Sequence, residues 1–152
     1  MSTAIIAVLG TLAGSLLTGT LQHYSQRAVL RAEAASTRKR ESLAAVADLV
    51  AALADHRRAM WVREDLRLKG ADWSEARAES HRTRSALTAP LLRVQLLLPE
   101  VAAEARAAAS ATYALRGASE SGETGLAARR DHAIHATDEL VTAAGRHLAT
   151  AA

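Results

Sequence analysis

An uncharged stretch near the N-terminus constrains this chain more than any other feature. Residues 4–21 read AIIAVLGTLAGSLLTGTL, eighteen positions without an ionisable side chain, and the first charged side chain is Arg27. A helix extended to Tyr24 would be about 31 Å long at 1.5 Å per residue, close to the roughly 30 Å thickness of a bilayer's hydrocarbon core. Unpaired backbone groups are costly in lipid, so insertion would itself enforce helical structure. The sequence therefore predicts a transmembrane anchor over residues 1–24.

The charges that follow this stretch predict its orientation. Between positions 27 and 40 there are five basic residues and one acidic residue, Glu33, whereas no Lys or Arg precedes the stretch. Basic residues concentrate on the cytoplasmic side of membrane helices, so we expect a single-pass protein of the cell membrane with a cytoplasmic C-terminal domain. A cleaved signal peptide is disfavoured because a basic leading region is missing. The basic neck, residues 25–42, is predicted to contact lipid headgroups or nucleic acid through Arg27, Arg31, Arg38, Lys39 and Arg40.

One face of the predicted anchor consists of small residues. At 100° per residue these residues share a stripe, and the larger Ile5, Leu9 and Leu12 lie opposite. Gly10 and Gly14 form a GxxxG pair, which permits close approach of two membrane helices. The stripe predicts self-association through Ala7, Gly10, Thr11, Gly14, Ser15 and Thr18.

The remaining residues, 43–152, have the composition of packed helices. The chain is 49% hydrophobic but only 3% aromatic, with no Phe, so its core must be built from Ala, Leu and Val. Apolar residues recur at three- and four-residue steps, and no strand-like alternation is found. The first helix is predicted to end near Gly70, the second to open at a capping box formed by Asp72 and Glu75, and the third to start at Pro99. A loop over residues 117–125 precedes the last helix. These features predict an all-α fold, an antiparallel bundle of about four helices.

The sequence contains no recognisable catalytic motif. The chain has no cysteine, no Gly-rich phosphate loop and no nucleophile elbow, so we predict no enzyme, no cofactor and no small-molecule substrate. His132 and His135 share a helix face with acidic neighbours, but a fourth ligand is missing. We interpret that face as solvated and predict no metal site.

The polar segment, residues 55–65 (DHRRAMWVRED), interrupts the hydrophobic seam of the first helix. It could form a partner surface through His56, Arg57 and Trp61, or a buried polar network. The favoured alternative is a packing face that rotates around the helix, with ion pairs between neighbouring turns on the solvent side.

Several short sequence segments of this chain resemble segments of the KilB-like proteins of actinomycete conjugative plasmids. They are IIAVLGTLAGSLLTG in the anchor, ALADHRRAMWVREDLRL at residues 52–68, TRSALTAPL from residue 83, ATYALR from residue 111, and DELVTAAGRHL near the end. The resemblance covers nearly the full length and carries no catalytic signature. It implies a small membrane-associated product of a plasmid spread locus, harmful without its repressor and linked to plasmid movement between cell compartments.

The leading hypothesis is therefore a non-enzymatic membrane scaffold or oligomeric spread factor. Its expected partners are membrane lipid, further copies of the chain and plasmid-transfer proteins. One alternative is a DNA-associated membrane adaptor that uses the basic neck, although the surplus of nineteen basic over sixteen acidic residues is modest. Another is a soluble homo-oligomer whose N-terminal helices pack on one another.

Overall fold

The structure, a computed structural model, describes the backbone of residues 2–150 and the side chains of residues 26, 27 and 29–150. The described residues form four α-helices and two 3₁₀ turns, with no strand among them, so the predicted all-α class is confirmed. The helices are α1 (Ser2–Leu68), α2 (Ser74–Leu97), α3 (Ala102–Tyr113) and α4 (Gly122–Thr150). The 3₁₀ turns are Pro99–Val101 before α3 and Ala118–Ser121 before α4.

The chain divides into two compact units, Met1–Arg40 and Glu41–Ala152. The side chains of residues 1–25 lie outside the described part, and with them the side chains of the predicted anchor and its stripe of small residues. In the part that is described, no single helix is both long and apolar enough to cross a bilayer, whereas α2 and Pro99–Tyr113, bent by 119°, meet those criteria together. The predicted division into an anchor, a neck and a bundle (residues 1–24, 25–42 and 43–152) stays a prediction.

The core of the second unit contains leucines from α1, α2 and α4 and alanines from α3. Leu49 and Leu53 of α1 are fully buried together with Leu87 of α2 and Leu140 of α4. Each such leucine contributes about 1.5–3 kcal/mol relative to an exposed position. The buried face of α3 consists largely of alanines, whose short side chains let neighbouring backbones approach closely. The predicted Ala and Leu core is therefore present.

The junctions between helices follow the predicted punctuation with two corrections. Trp73, not Asp72, is the residue before α2. The Asp72 carboxylate accepts the Ser74 N–H at 2.9 Å, but Trp73 makes no side-chain capping bond, so the predicted capping box of Asp72 and Glu75 is wrong. The predicted loop at residues 117–125 is also shorter than expected, because α4 already begins at Gly122. Pro99 opens the 3₁₀ turn before α3, as the sequence indicates.

Two glycines of α4 provide a matched test of this packing. A Cβ at Gly125 would overlap the Cβ of Ser121, whereas a Cβ at Gly145 would meet nothing within 4 Å. We expect Gly125→Ala to destabilise the protein by about 1–3 kcal/mol through this overlap. Gly145→Ala should stabilise it by about 0.5–1 kcal/mol because alanine favours the helix. Urea denaturation of both variants measures the difference, and equal unfolding free energies would contradict the packing around Gly125.

Candidate functional site

The polar segment lies near the C-terminal end of α1, and helical periodicity divides it between two faces. One face is buried and carries His56, Arg63 and Glu64. These positions continue the seam of Leu49 and Leu53 at steps of three, four and seven residues. The interpretation favoured from the sequence, with the polar groups on the solvent side, is therefore wrong for these three side chains.

His56 connects α1 to two other helices. Its side chain is 1% exposed, and its Nδ1 lies 2.9 Å from Oγ1 of Thr83 on α2. The Thr83 hydroxyl donates to the Glu79 carbonyl oxygen at 3.0 Å, so we infer that the imidazole is protonated on Nδ1 and donates to Thr83. The ring meets Tyr113 of α3 edge-on at 5.6 Å between centroids. Burial, assisted by the positive charge of Arg84, lowers the pKa of His56 to about 4, so the ring is neutral at physiological pH.

The burial of His56 corrects the predicted partner surface. A side chain that is 1% exposed cannot contact a partner at the surface, so His56 does not belong to it. Arg57 and Trp61 are half-buried and lie on the other face of α1. For these two residues the partner surface stays a prediction.

Glu64 is a buried carboxylate that connects α1 to the 3₁₀ turn Ala118–Ser121. Its exposed fraction is 0%, and its Oε2 accepts hydrogen bonds from the Ser119 hydroxyl at 2.6 Å and from Arg67 Nη1 at 3.2 Å. Burial by itself raises the pKa of Glu64, but hydrogen bonds from Ser119 and from the Gly117 backbone outweigh it and leave the pKa below its ordinary value. Glu64 is therefore ionised in the folded protein.

Three guanidinium groups surround Trp73, between α1 and α2. The guanidinium carbons of Arg63, Arg67 and Arg77 lie 5.3, 5.5 and 5.7 Å from the centre of the indole ring. Arg63 Nε lies 3.7 Å from Glu64 Oε1, an ion pair that is too long for a hydrogen bond. This cluster joins the end of α1 to the start of α2.

The outward face of the polar segment lines a cleft against α4, which we call the Trp61 cleft. Its volume is about 470 Å³. The guanidinium carbon of Arg130 lies 5.1 Å from the centre of the Trp61 ring. Among the described residues, Arg57 Nη1 is buried without a hydrogen-bond partner. The cleft is lined by Ala54, Asp55, Arg57, Arg58, Trp61, Val62 and Arg130.

The remaining predicted positions are on the surface. His132 and His135 are exposed, and His135 Nε2 lies 3.3 Å from Glu139 Oε1. Within the described ranges, no three His, Asp or Glu side chains are grouped as a metal site would require. The basic residues of the neck, all of them exposed, are Arg27, Arg31, Arg38, Lys39 and Arg40. Their role toward lipid or nucleic acid stays a prediction.

Comparison with known proteins identifies the family. The model of the KilB plasmid transfer protein family matches residues 43–148. Protein KilB of Streptomyces lividans is 53% identical over 149 residues, which cover 96% of this chain and 97% of that protein. The chain belongs to the KilB plasmid transfer protein family. No solved structure matches it.

Membership in the KilB family confirms the resemblance found in the sequence. The KilB family is not a known enzyme family, in line with the absence of catalytic motifs from the sequence. The matched residues of the KilB model include His56, Glu64 and the whole Trp61 cleft. The polar groups described above therefore belong to the region by which the family is defined.

Sequence reasoning missed the buried ion pair of Arg63 and Glu64 and both hydroxyl partners. One signal was available, because seven- and eight-residue steps from His56 lead along the buried seam to Arg63 and Glu64. Charges on a seam indicate a buried network. No signal pointed to Thr83 or Ser119, since helix packing alone brings them to α1.

Proposed function

We propose that this chain is a non-enzymatic, membrane-anchored helical component of plasmid spread, which self-associates through its anchor. The observation that carries the proposal is the order of features along a chain of the KilB family. An uncharged stretch of eighteen residues comes first, five exposed basic residues follow, and the region matched by the family model comes last.

The charge pattern supports attachment to an anionic membrane surface. Each basic residue near such a surface contributes about 1 kcal/mol of attraction. The five exposed basic residues of the neck follow residues 4–21 in the chain. Their attraction to the surface would therefore add to the hydrophobic insertion of that stretch. The stripe of small residues on the predicted anchor supports self-association through GxxxG packing.

The buried polar groups support a structural role for the helical domain. His56 and Glu64 are each hydrogen-bonded to side chains of other elements. A catalytic acid or base must instead reach a substrate within hydrogen-bond distance. We infer that these groups stabilise the domain, and that the domain provides binding surfaces for other transfer proteins.

Membrane fractionation of the full-length chain tests the anchor. We expect the protein to stay with membranes after a carbonate wash, because a helix inserted in lipid is not removed by alkali. Leu12→Arg should move most of the protein to the soluble fraction and reduce plasmid transfer, since an arginine in the middle of a span is costly. The matched control, Leu12→Val, should behave as the original chain does.

Three outcomes of the same preparation would contradict the proposal. Extraction of the unmodified chain by carbonate would overturn the anchor and favour the soluble assembly. The mass of one chain is 16.0 kDa. If the native mass, after subtraction of bound detergent, equals this value, self-association is overturned. Salt-dependent DNA binding that is lost when the neck is neutralised would favour the DNA adaptor instead.

A further inference from the structure

The spacing of residues on α1 places one wall of the Trp61 cleft on a single side of the helix. Arg57 and Trp61 are four residues apart, as are Arg58 and Val62, so both pairs project from neighbouring positions on one side of the helix. Arg130 of α4 closes the opposite side and lies against the Trp61 ring. All of these residues are within the second unit, so the cleft is a property of the helical domain alone.

The cleft has more positive than negative charge. Arg57, Arg58 and Arg130 contribute three guanidinium groups to the described lining, and Asp55 contributes the carboxylate. Burial lowers the pKa of Arg57, the charge of Arg130 lowers it further, and Asp138 opposes both effects. The positive charges are therefore only partly compensated, and Nη1 of Arg57 is a buried donor with no acceptor among the described residues.

The apolar part of the cleft lies beside this charge. Trp61 is half-buried, and Val62 is 45% exposed although it is a large hydrophobic side chain. A ligand that fits both parts has a negative group next to an aliphatic group. Nucleic acid fits less well, because single strands bind by stacking bases on free aromatic faces and Arg130 already lies over the Trp61 ring.

We propose that the Trp61 cleft binds a short acidic segment of a partner protein, in which a carboxylate lies next to an aliphatic side chain. The carboxylate accepts hydrogen bonds from Arg57 and Arg130, and guanidinium groups suit this role because they present several donors in one plane. The aliphatic side chain packs against Val62 and the exposed edge of Trp61. A volume of about 470 Å³ accommodates two or three side chains of a peptide, not a folded surface.

This inference names a partner class for the proposed function, and it depends on that function only for where the partner would be met. The test therefore uses the full-length chain in one mild detergent, whether or not the chain proves to be membrane-bound. A chain that washes off membranes but binds the peptide would overturn the anchor alone. A membrane-bound chain that does not bind the peptide would overturn the cleft alone.

The probe is a dye-labelled, end-capped peptide of sequence leucyl-glutamyl-glutamyl-leucine, followed by fluorescence anisotropy. We expect saturable binding that weakens about tenfold or more in Arg57→Gln and in Arg130→Gln. The control Arg106→Gln changes an exposed arginine of α3 outside the cleft and should leave affinity unchanged within twofold. The matched peptide with glutamine in place of glutamate should bind at least tenfold more weakly.

Arg130 is exposed, so its substitution keeps the test valid even if Arg57→Gln fails to fold. Three results would overturn the proposal. They are equal binding of the glutamate and glutamine peptides, equal loss of affinity in Arg106→Gln, and an unaltered affinity in Arg130→Gln. A single-stranded oligonucleotide that competes for the site at lower concentration than the peptide would also overturn it, and would assign the cleft to nucleic acid.

Discussion

Replacing Glu64 by alanine is expected to lower the free energy of unfolding by about 3–5 kcal/mol. The substitution removes the carboxylate that accepts the Ser119 hydroxyl at 2.6 Å and pairs with Arg63 at 3.7 Å. Arg63 is itself only 9% exposed, so its charge would be left buried and uncompensated. Removing one member of a buried pair costs more than the pair contributes in total, because the other member keeps its desolvation penalty. Urea denaturation at neutral pH measures the loss.

Two matched variants separate charge from packing. Glu64→Gln keeps the size of the side chain and an oxygen for Ser119 but removes the charge, so we expect a smaller loss of about 1–3 kcal/mol. Asp131→Ala removes an exposed carboxylate from α4 and should change stability by no more than about 0.5 kcal/mol. If Glu64→Ala and Asp131→Ala unfold at the same urea concentration, the buried pair does not stabilise the domain.

The second large effect is a loss of stability in mild acid that originates at His56. The pKa of His56 falls from 6.5 to about 4 in the folded protein, chiefly because of burial. Below pH 6.5 His56 therefore binds a proton in the unfolded chain but not in the folded chain, and the equilibrium shifts toward unfolding. Titration of His56 thus leaves the free energy of unfolding unchanged above pH 6.5 and lowers it increasingly as the pH falls toward 4. At about 1.4 kcal/mol per unit, the loss across this window is about 3 kcal/mol.

Urea denaturation at a series of pH values from 7.5 to 4.5 measures this effect. His56→Asn replaces the titrating ring by a neutral amide, so the slope between pH 6.5 and 5 should become shallow even if overall stability is lower. The matched control His81→Asn removes an exposed histidine and should leave the slope unchanged. A flat profile for the original chain would contradict the burial of a neutral His56. The contribution of Glu64 is distinct, because its lowered pKa places its loss of stabilisation below pH 4.5.

The helical class, and much of where helices begin and end, could be predicted from residues 43–152 alone. Ala and Leu at three- and four-residue steps favour helices, because these residues have high helix propensity and form one continuous apolar face. The first helix ends at Leu68, just before Gly70, and Pro99 opens the turn before α3. These signals are local, since each depends on the backbone preferences of one or two residues. Short sequence segments also indicated the family.

Only the tertiary structure determined what the polar residues do. His56 meets Thr83 across 27 positions, and Glu64 meets Ser119 across 55. Sequence periodicity locates a residue on a helix face, but it does not say which helix covers that face or which hydroxyl lies opposite. The energy of a charged side chain depends on those neighbours, because burial and hydrogen bonding act on it in opposite directions. Glu64 and Arg57 are both charged residues of the same helix, yet packing supplies donors to Glu64 Oε2 and leaves Nη1 of Arg57 buried without an acceptor among the described residues.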